Sequence, residues 1–294
     1  MIVCLSGVPK SMVKSLEIEC GYNVYVPQRK IFPDGEQYLR IEFRGASNSV
    51  VVTQSLYPEQ DRKIVELYLA LEALQGLNVR VDTVVLPYAA YTRQDKRFLF
   101  GEPISTKALY NALKIFGVTR IVTVDVHSSR PFNDMGYTHI DLLPHSYMIS
   151  RSNMEIDMVL APDKGAFHRA LDVAKQLGVE YDYLDKYRDR ITGEITIDTK
   201  TLDVVGRDIA IVDDIISTGK TLAKATEALY RAGASNVYAV VSHAFISRET
   251  IDILSKAGLK SLVIANTIEL SIDLPSWIKV IDITPIICRA LKSG

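Results

Sequence analysis

Residues 209–222, IAIVDDIISTGKTL, hold the densest chemistry in the chain. The apolar run 209–212 reads as a buried strand, which puts Asp213 and Asp214 where that strand should end. Ser217, Thr218, Gly219, Lys220 and Thr221 follow a short apolar step, and 221–231 reads as a helix with Leu222, Ala225, Ala228 and Leu229 on one face. Unpaired N–H groups at a helix start suit a phosphate. Two adjacent carboxylates are acceptors for a pair of sugar hydroxyls. Phosphate and diol together point to a sugar phosphate. A Walker A loop is excluded, because its first glycine would have to stand at Asp214. The competing reading is an ordinary strand-to-helix turn whose Ser and Thr cap the helix. Two like charges side by side cost stability without a ligand or metal, and weigh against it.

Other polar groups gather at the ends of predicted strands. His127 lies just past a strand at 120–126. Arg93, Gln94, Lys96 and Arg97 follow a strand at 82–87, in a loop with Tyr88 and Tyr91, where cations suit polyphosphate and the rings offer a stacking surface. The crevice outside strand C-termini is the usual ligand position in α/β sheets. Asp163, Lys164, Gly165 and Ala166 form a second glycine-containing turn after a strand at 157–161; its N–H groups can meet an anion and Asp163 can touch a divalent metal. Phe32, Asp34, Gly35 and Glu36 sit on a turn that could hold a base and its ribose, or serve as a turn alone. Lys186 and Arg188 occupy alternate positions of a predicted long hairpin, so they share a face of a device able to close over a site. His139, His145, His168 and His243 have no comparable setting and read as structural.

The elements that must hold these groups alternate between strand and helix. Strands are predicted at 1–7, 49–53, 82–87, 120–126, 157–161, 181–184, 236–243, 262–265 and 278–282. Helices are predicted at 11–20, 61–77, 105–116, from the Ala166 turn to Leu177, at 221–231, 250–257 and 283–291, with hairpin strands flanking the turn at 30–36. A weak internal repeat pairs VVLPYAAYTR at 84–93 with VLAPDKGAFHR at 159–169, and RIVTVDVHSS at 120–129 with DIAIVDDIISTG at 208–219. The second interval is longer by about the length of the Lys186 hairpin. Two similar α/β units in tandem follow, divided near 143–151: residues 1–145, residues 146–280, and a final helix in 281–294 that could fold back on the first unit.

The 294 residues are enough for two compact domains, and 48% hydrophobic with 23% charged residues is ordinary for a globular protein. A net charge of −1 supplies no electrostatic reason for nucleic acid or an anionic membrane as partner. Cys4, Cys20 and Cys288 are scattered, odd in number and without zinc spacing, so a reduced, cytoplasmic protein is expected. The N-terminus lacks the pattern of a signal peptide, and no stretch approaches the ~18 apolar residues of a membrane span.

Together these pieces resemble the ribose-phosphate pyrophosphokinase (phosphoribosyl pyrophosphate synthetase) family. The carriers are FPDGE at 32–36, PYAAYTRQDKR at 87–97, EPIS at 102–105, TVDVHS at 123–128, APDKGA at 161–166, DKYR at 185–188 and VDDIISTGKT at 212–221, in the family's order over nearly the whole chain. The resemblance implies two tandem type I phosphoribosyltransferase-like domains with mainly parallel sheets. It implies transfer of the β,γ-diphosphoryl group of Mg-ATP to the 1-hydroxyl of ribose 5-phosphate, giving phosphoribosyl pyrophosphate and AMP for nucleotide biosynthesis. Asp213 and Asp214 would hold the ribose hydroxyls and residues 217–221 the 5-phosphate. Residues 163–166 would form the pyrophosphate loop. His127 and Asp163 would lie near magnesium, and Arg93, Gln94 and His127 would hold ATP. Phe32, Asp34, Gly35 and Glu36 would meet adenosine across a subunit interface, which implies a homo-oligomer of at least two chains. Lys186 and Arg188 would be the catalytic cations. Ser217 and Lys220 depart from the Asp and the Gly or Ala that many members carry there. A phosphoribosyltransferase would use the same VDD…STG loop but needs one such unit, and a non-enzymatic regulatory relative would lack the cations that Lys186 and Arg188 supply.

Overall fold

The structure, a computed structural model, describes residues 1–42, 48–188, 195–198 and 202–293, with the side chains of 185–188 and 195–198 outside the description. Two compact units make up the chain. Unit 1 takes Met1–Leu142, Thr267–Glu269 and Thr284–Gly294, and unit 2 takes Leu143–Asn266 and Leu270–Ile283.

Unit 1 runs β1 (Ile2–Cys4), α1 (Lys10–Ile18), β2 (Val24–Tyr25), β3 (Gln28–Ile31), β4 (Gln37–Arg40), β5 (Ser49–Thr53), α2 (Gln60–Gly76), β6 (Arg80–Leu86), α3 (Ser105–Tyr110), β7 (Arg120–Val124), α4 (Arg130–Asp134) and β8 (Thr138–Leu142). Its sheet has the order β2-β1-β5-β6-β7-β8 with every pairing parallel, and β3 and β4 form a separate antiparallel hairpin. A parallel sheet needs helices on both faces, so its strands are apolar on both sides. Val52, Val84, Leu86 and Ile121 are fully buried with Leu67, Leu71 and Leu74 of α2. Each such side chain contributes about 1.5–3 kcal/mol when taken from water.

Unit 2 runs α5 (His145–Ser152), β9 (Met158–Ala161), α6 (Phe167–Leu177), β10 (Glu180–Tyr183), β11 (Asp185–Arg188), β12 (Ile195–Asp198), β13 (Asp208–Ile216), α7 (Lys220–Arg231), β14 (Asn236–Ala244), α8 (Arg248–Lys256), β15 (Ser261–Ala265) and β16 (Ile278–Ile281). The order β10-β9-β13-β14-β15-β16 is again all parallel, with β11 and β12 as an antiparallel hairpin. The chain then enters unit 1 with α9 (Thr284–Lys292).

Both sheets place their second strand first, then their first, third, fourth, fifth and sixth, and both insert a hairpin between the second and third strands. The tandem repeat is therefore present, but its correspondence differs from the one read by similarity. β6 is the fourth strand of its sheet and β9 the first of its own, so 84–93 and 159–169 are not equivalent. Apolar strand ends look alike whatever their place in a sheet.

Two further expectations change. The predicted helix at 105–116 is α-helical only to Tyr110 and continues as a 3₁₀ turn over Asn111–Phe116. The Tyr110 carbonyl there accepts from the Tyr137 hydroxyl at 2.7 Å, which competes with the helical ladder. The elements at 130–134, 138–142 and 145–152 are additions to the predicted set. The reduced-thiol expectation also fails: Cys20, just past α1, forms a disulfide with Cys288 of α9, their Cα atoms 6.1 Å apart. A sequence separation of 268 residues hides that pairing, because it depends on the chain's return to unit 1. Cys4 is free and buried, and burial, with a smaller effect from Glu17, pushes its thiol up to about 12.

Candidate active site

β13 lies between β9 and β14 and runs on through Asp213 and Asp214 to Ile216, so the carboxylates stand within the strand and not beyond its end. Asp213 lies opposite Val241 of β14, and its Oδ1 accepts from the Asp214 N–H at 2.9 Å. Its carbonyl accepts from His145 Nε2 at 3.0 Å; a carbonyl only accepts, so that nitrogen carries the proton. The reading of His145 as structural fits this contact. Asp214 is 8% exposed and faces Arg169 Nη2 at 3.3 Å, with Arg169 itself 3% exposed. Burial, then the charge of Asp214, pushes the Asp213 carboxyl well above the usual carboxylate range, and the Arg169 guanidinium opposes both. The result is a half-buried Asp213 and a buried Asp214 against the Arg169 guanidinium, an acid pair able to present both hydrogen-bond donors and acceptors to a diol.

Sequence reasoning passed over Arg169. A signal was there, since Arg169 is a charged residue on the buried face of α6 with Ala170, Val173 and Ala174.

Behind the acid pair, Gly219 takes φ +73° at the start of α7 and no side chain caps the helix there. The capping alternative for Ser217 and Thr218 therefore does not hold. Both are exposed, as is Lys220, while Thr221 is half-buried. The Ser217 carbonyl accepts from Thr250 Oγ1 at 3.1 Å, seating the loop on α8. A Cβ at Gly219 would lie 3.1 Å from Thr250 Cγ2 and 3.3 Å from Leu254 Cγ.

At the end of β9, the turn that was expected to offer N–H groups to an anion uses them itself. Asp163 Oδ1 accepts from Gly165 N at 2.9 Å and Ala166 N at 3.2 Å. Lys164 is exposed beside them. In the hairpin, Lys186 pairs along the backbone with Ile197 and Arg188 with Ile195, while the two cationic side chains lie outside the described residues.

The remaining candidates belong to unit 1. His127 is exposed after a strained turn in which buried Asp125 takes φ +44°. Asp141, which sequence reasoning missed, pins that turn: its Oδ1 accepts from Thr123 Oγ1 at 2.6 Å and from Val126 N at 3.0 Å. Arg93 is exposed, and Gln94 Oε1 accepts from Ser105 Oγ at 2.5 Å. Phe32, Asp34, Gly35 and Glu36 share the exposed turn between β3 and β4, closed by Phe32 N to Glu36 O at 2.8 Å and by Asp34 Oδ1 accepting from Glu36 N at 3.1 Å. Lys30 Nζ lies 4.7 Å from the Phe32 ring centre and 4.8 Å from that of Tyr38. Thus the structure brings Asp213 and Asp214 together with Arg169 in unit 2, and holds His127, Arg93 and the Phe32 turn in unit 1. Among the described residues no three His, Cys, Asp or Glu side chains form a group able to hold a metal ion.

Two parallel-sheet units of one strand order, the second with an acid pair ahead of a hydroxyl-rich helix start, define a protein built from two phosphoribosyltransferase-type domains. Residues 145–269 match the phosphoribosyl transferase domain, and residues 4–117 match the N-terminal domain of ribose phosphate pyrophosphokinase. A ribose-phosphate pyrophosphokinase of Sulfurisphaera tokodaii is 39% identical over 90% of this chain and 91% of its own. One from Methanopyrus kandleri is 34% identical over 100% of this chain and 99% of its own. The fold is similar to the crystal structure of phosphoribosylpyrophosphate synthetase from Mycobacterium smegmatis, with a TM-score of 0.84 at 24% identity, covering 99% of this chain and 97% of that one. The chain belongs to the ribose-phosphate pyrophosphokinase family.

Proposed function

We propose that this chain transfers the β,γ-diphosphoryl group of ATP to the 1-hydroxyl of ribose 5-phosphate, releasing AMP and forming phosphoribosyl pyrophosphate for nucleotide biosynthesis. The observation that carries the reading is the Asp213–Asp214 pair, half-buried and buried, beside Arg169 and set directly ahead of the uncapped start of α7. The two carboxyls hold the ribose hydroxyls, and Ser217, Thr218, Gly219, Lys220 and Thr221 hold the 5-phosphate through backbone N–H groups, hydroxyls and one cation. The 163–166 loop receives the diphosphate side once Asp163 releases Gly165 and Ala166.

Arg93, Gln94 and His127 take the ATP phosphates, and Phe32, Asp34, Gly35 and Glu36 take adenosine from a neighbouring subunit of a homo-oligomer. Magnesium enters with ATP as part of the substrate. Magnesium bound to phosphates keeps several waters and takes one or two protein groups, of which Asp163 and His127 are the candidates. Lys186 and Arg188 on the β11–β12 hairpin stabilise the charge that builds on the moving group and exclude water as the hairpin closes. Among the described residues no helix is long and apolar enough to cross a membrane. We place the protein in the cytoplasm, a setting that must accommodate the Cys20–Cys288 disulfide.

Incubation with ribose 5-phosphate, ATP and magnesium tests the reading. AMP and phosphoribosyl pyrophosphate are expected in equal amounts; ADP as the nucleotide product, or no AMP, overturns it.

A further inference from the structure

Because the two sheets share one strand order, the ends of β1 and β5 in unit 1 correspond to those of β9 and β13 in unit 2. The registers agree. β1 ends at Cys4 opposite Thr53, which Gln54 follows. β9 pairs Leu160 with Ile211, and one step on brings its last residue, Ala161, level with Val212, which Asp213 follows. Gln54 thus stands where unit 2 has Asp213, and the Ser6–Gly7 turn stands where unit 2 has the Asp163 loop.

In both units the N–H groups of this turn are met by side-chain oxygens, in opposite ways. Unit 2 uses a local carboxylate, Asp163, which is half-buried on its own loop. Unit 1 uses a remote one. Glu66 of α2 accepts from Ser6 N at 3.0 Å and from the Ser6 hydroxyl, while Gln54 Oε1 accepts from Gly7 N at 2.8 Å. Glu66 is 3% exposed and is held further by Gln54 Nε2 at 3.1 Å and Arg29 Nη1 at 3.4 Å. Lys63 donates to the same Ser6 hydroxyl. Beside this cluster opens a cavity of about 410 Å³ whose charged lining is Arg29, Lys30, Arg62 and Lys63 against Glu59 and Glu66. Cations outnumber acids there, and burial lowers the pKa of Lys63, with Glu66 acting in the other direction.

We propose that this cavity in unit 1 is a second, latent site for a phosphate or diphosphate group, held closed by the Glu66 carboxylate in the place of the ligand's oxygens. The turn that in unit 2 is filled by a half-buried aspartate of its own loop is here filled by a buried glutamate of another element with several partners, so both turns are closed by side chains, one locally and one remotely. The proposal rests on the repeat of the fold and the contacts in unit 1, not on the reaction assigned above.

Calorimetric titration of inorganic pyrophosphate into the full chain and into its Glu66→Ala and Glu66→Gln variants tests it. Any binding in unit 2 is common to all three proteins and cancels in the comparison. One additional pyrophosphate per chain is expected for Glu66→Ala, with its affinity falling at least about tenfold when Lys63→Met is added. The same stoichiometry in all three proteins overturns the proposal, as does an extra site indifferent to Lys63→Met. Should Glu66→Ala fail to fold, Glu66→Gln, which keeps the side chain's volume, decides by the same count.

Discussion

Asp213 occupies a position that resists its own charge. Burial and Asp214 raise its carboxyl pKa, and Arg169 offsets only part of that. With its folded-state pKa above that of the unfolded chain, the folded protein binds the extra proton over that interval. The favourable contribution is present below the unfolded value of about 3.9 and is lost as pH rises through the folded one. Asp213→Asn is therefore expected to raise the melting temperature at pH 7–8, with the gap to the unaltered chain closing as pH falls. The same variant should raise KM for ribose 5-phosphate about tenfold or more, since an amide nitrogen replaces a carboxyl oxygen proposed to accept from the diol. Thermal melts across pH and steady-state kinetics check the two halves; a variant less stable at pH 8 than at pH 5, relative to the unaltered chain, would contradict the sign. Asp213 and Asp214 were legible in the sequence as a pair of like charges beside a glycine turn. Arg169, their counter-charge, was not, because its partner is distant in sequence and meets it only across the β13–α6 packing.

At the scale of elements, the start of α7 and the β11–β12 hairpin are the parts on which the proposed reaction would depend. Gly219 holds φ +73° with α8 directly behind it. A left-handed non-glycine residue costs about 1–2 kcal/mol, and the new Cβ would press on Thr250 and Leu254. Gly219→Ala should lower the melting temperature and raise KM for ribose 5-phosphate while leaving KM for ATP near its original value; equal shifts in both constants would argue against a phosphate role for this loop. For the hairpin, Lys186→Ala should reduce kcat by about 10²–10³ with ATP binding intact. Near-original turnover would remove Lys186 from the mechanism. Strand periodicity located β11 and the second arm of the β3–β4 hairpin but set the first arm too early, at 22–28, where Val24–Tyr25 instead pairs with β1. The split of the 105–116 helix was hidden because Tyr137 reaches the Tyr110 carbonyl through tertiary structure.

Within unit 1, both ends of the chain meet, and the Cys20–Cys288 disulfide joins them. A cross-link of this kind typically contributes about 2–4 kcal/mol. Reduction should lower the melting temperature by roughly 5–10 °C. A Cys20→Ser/Cys288→Ser double variant should melt at that lower temperature and ignore the reductant. An unmoved melt on verified reduction would show that the bond does not stabilise unit 1. The proposed homo-oligomer has its own test. If the Phe32 turn serves a neighbouring subunit, a Phe32→Ala/Glu36→Ala chain and a Lys186→Ala chain, co-refolded, should recover activity that neither shows alone. No recovery in verified mixed oligomers would place the turn in its own subunit's site.

The sequence by itself determined that the chain holds two parallel α/β units, that Asp213 and Asp214 precede a glycine-started helix, and that seven motifs occur in the family's order. These are local properties: periodicity, turn chemistry and spacing survive in one dimension. Tertiary structure alone decided the repeat's correspondence, the Arg169 counter-charge, the Cys20–Cys288 bond and the Glu66 carboxylate over the Ser6 turn. Each of these joins residues far apart in the chain, and their meeting is set by strand order and by which helix covers which strand end.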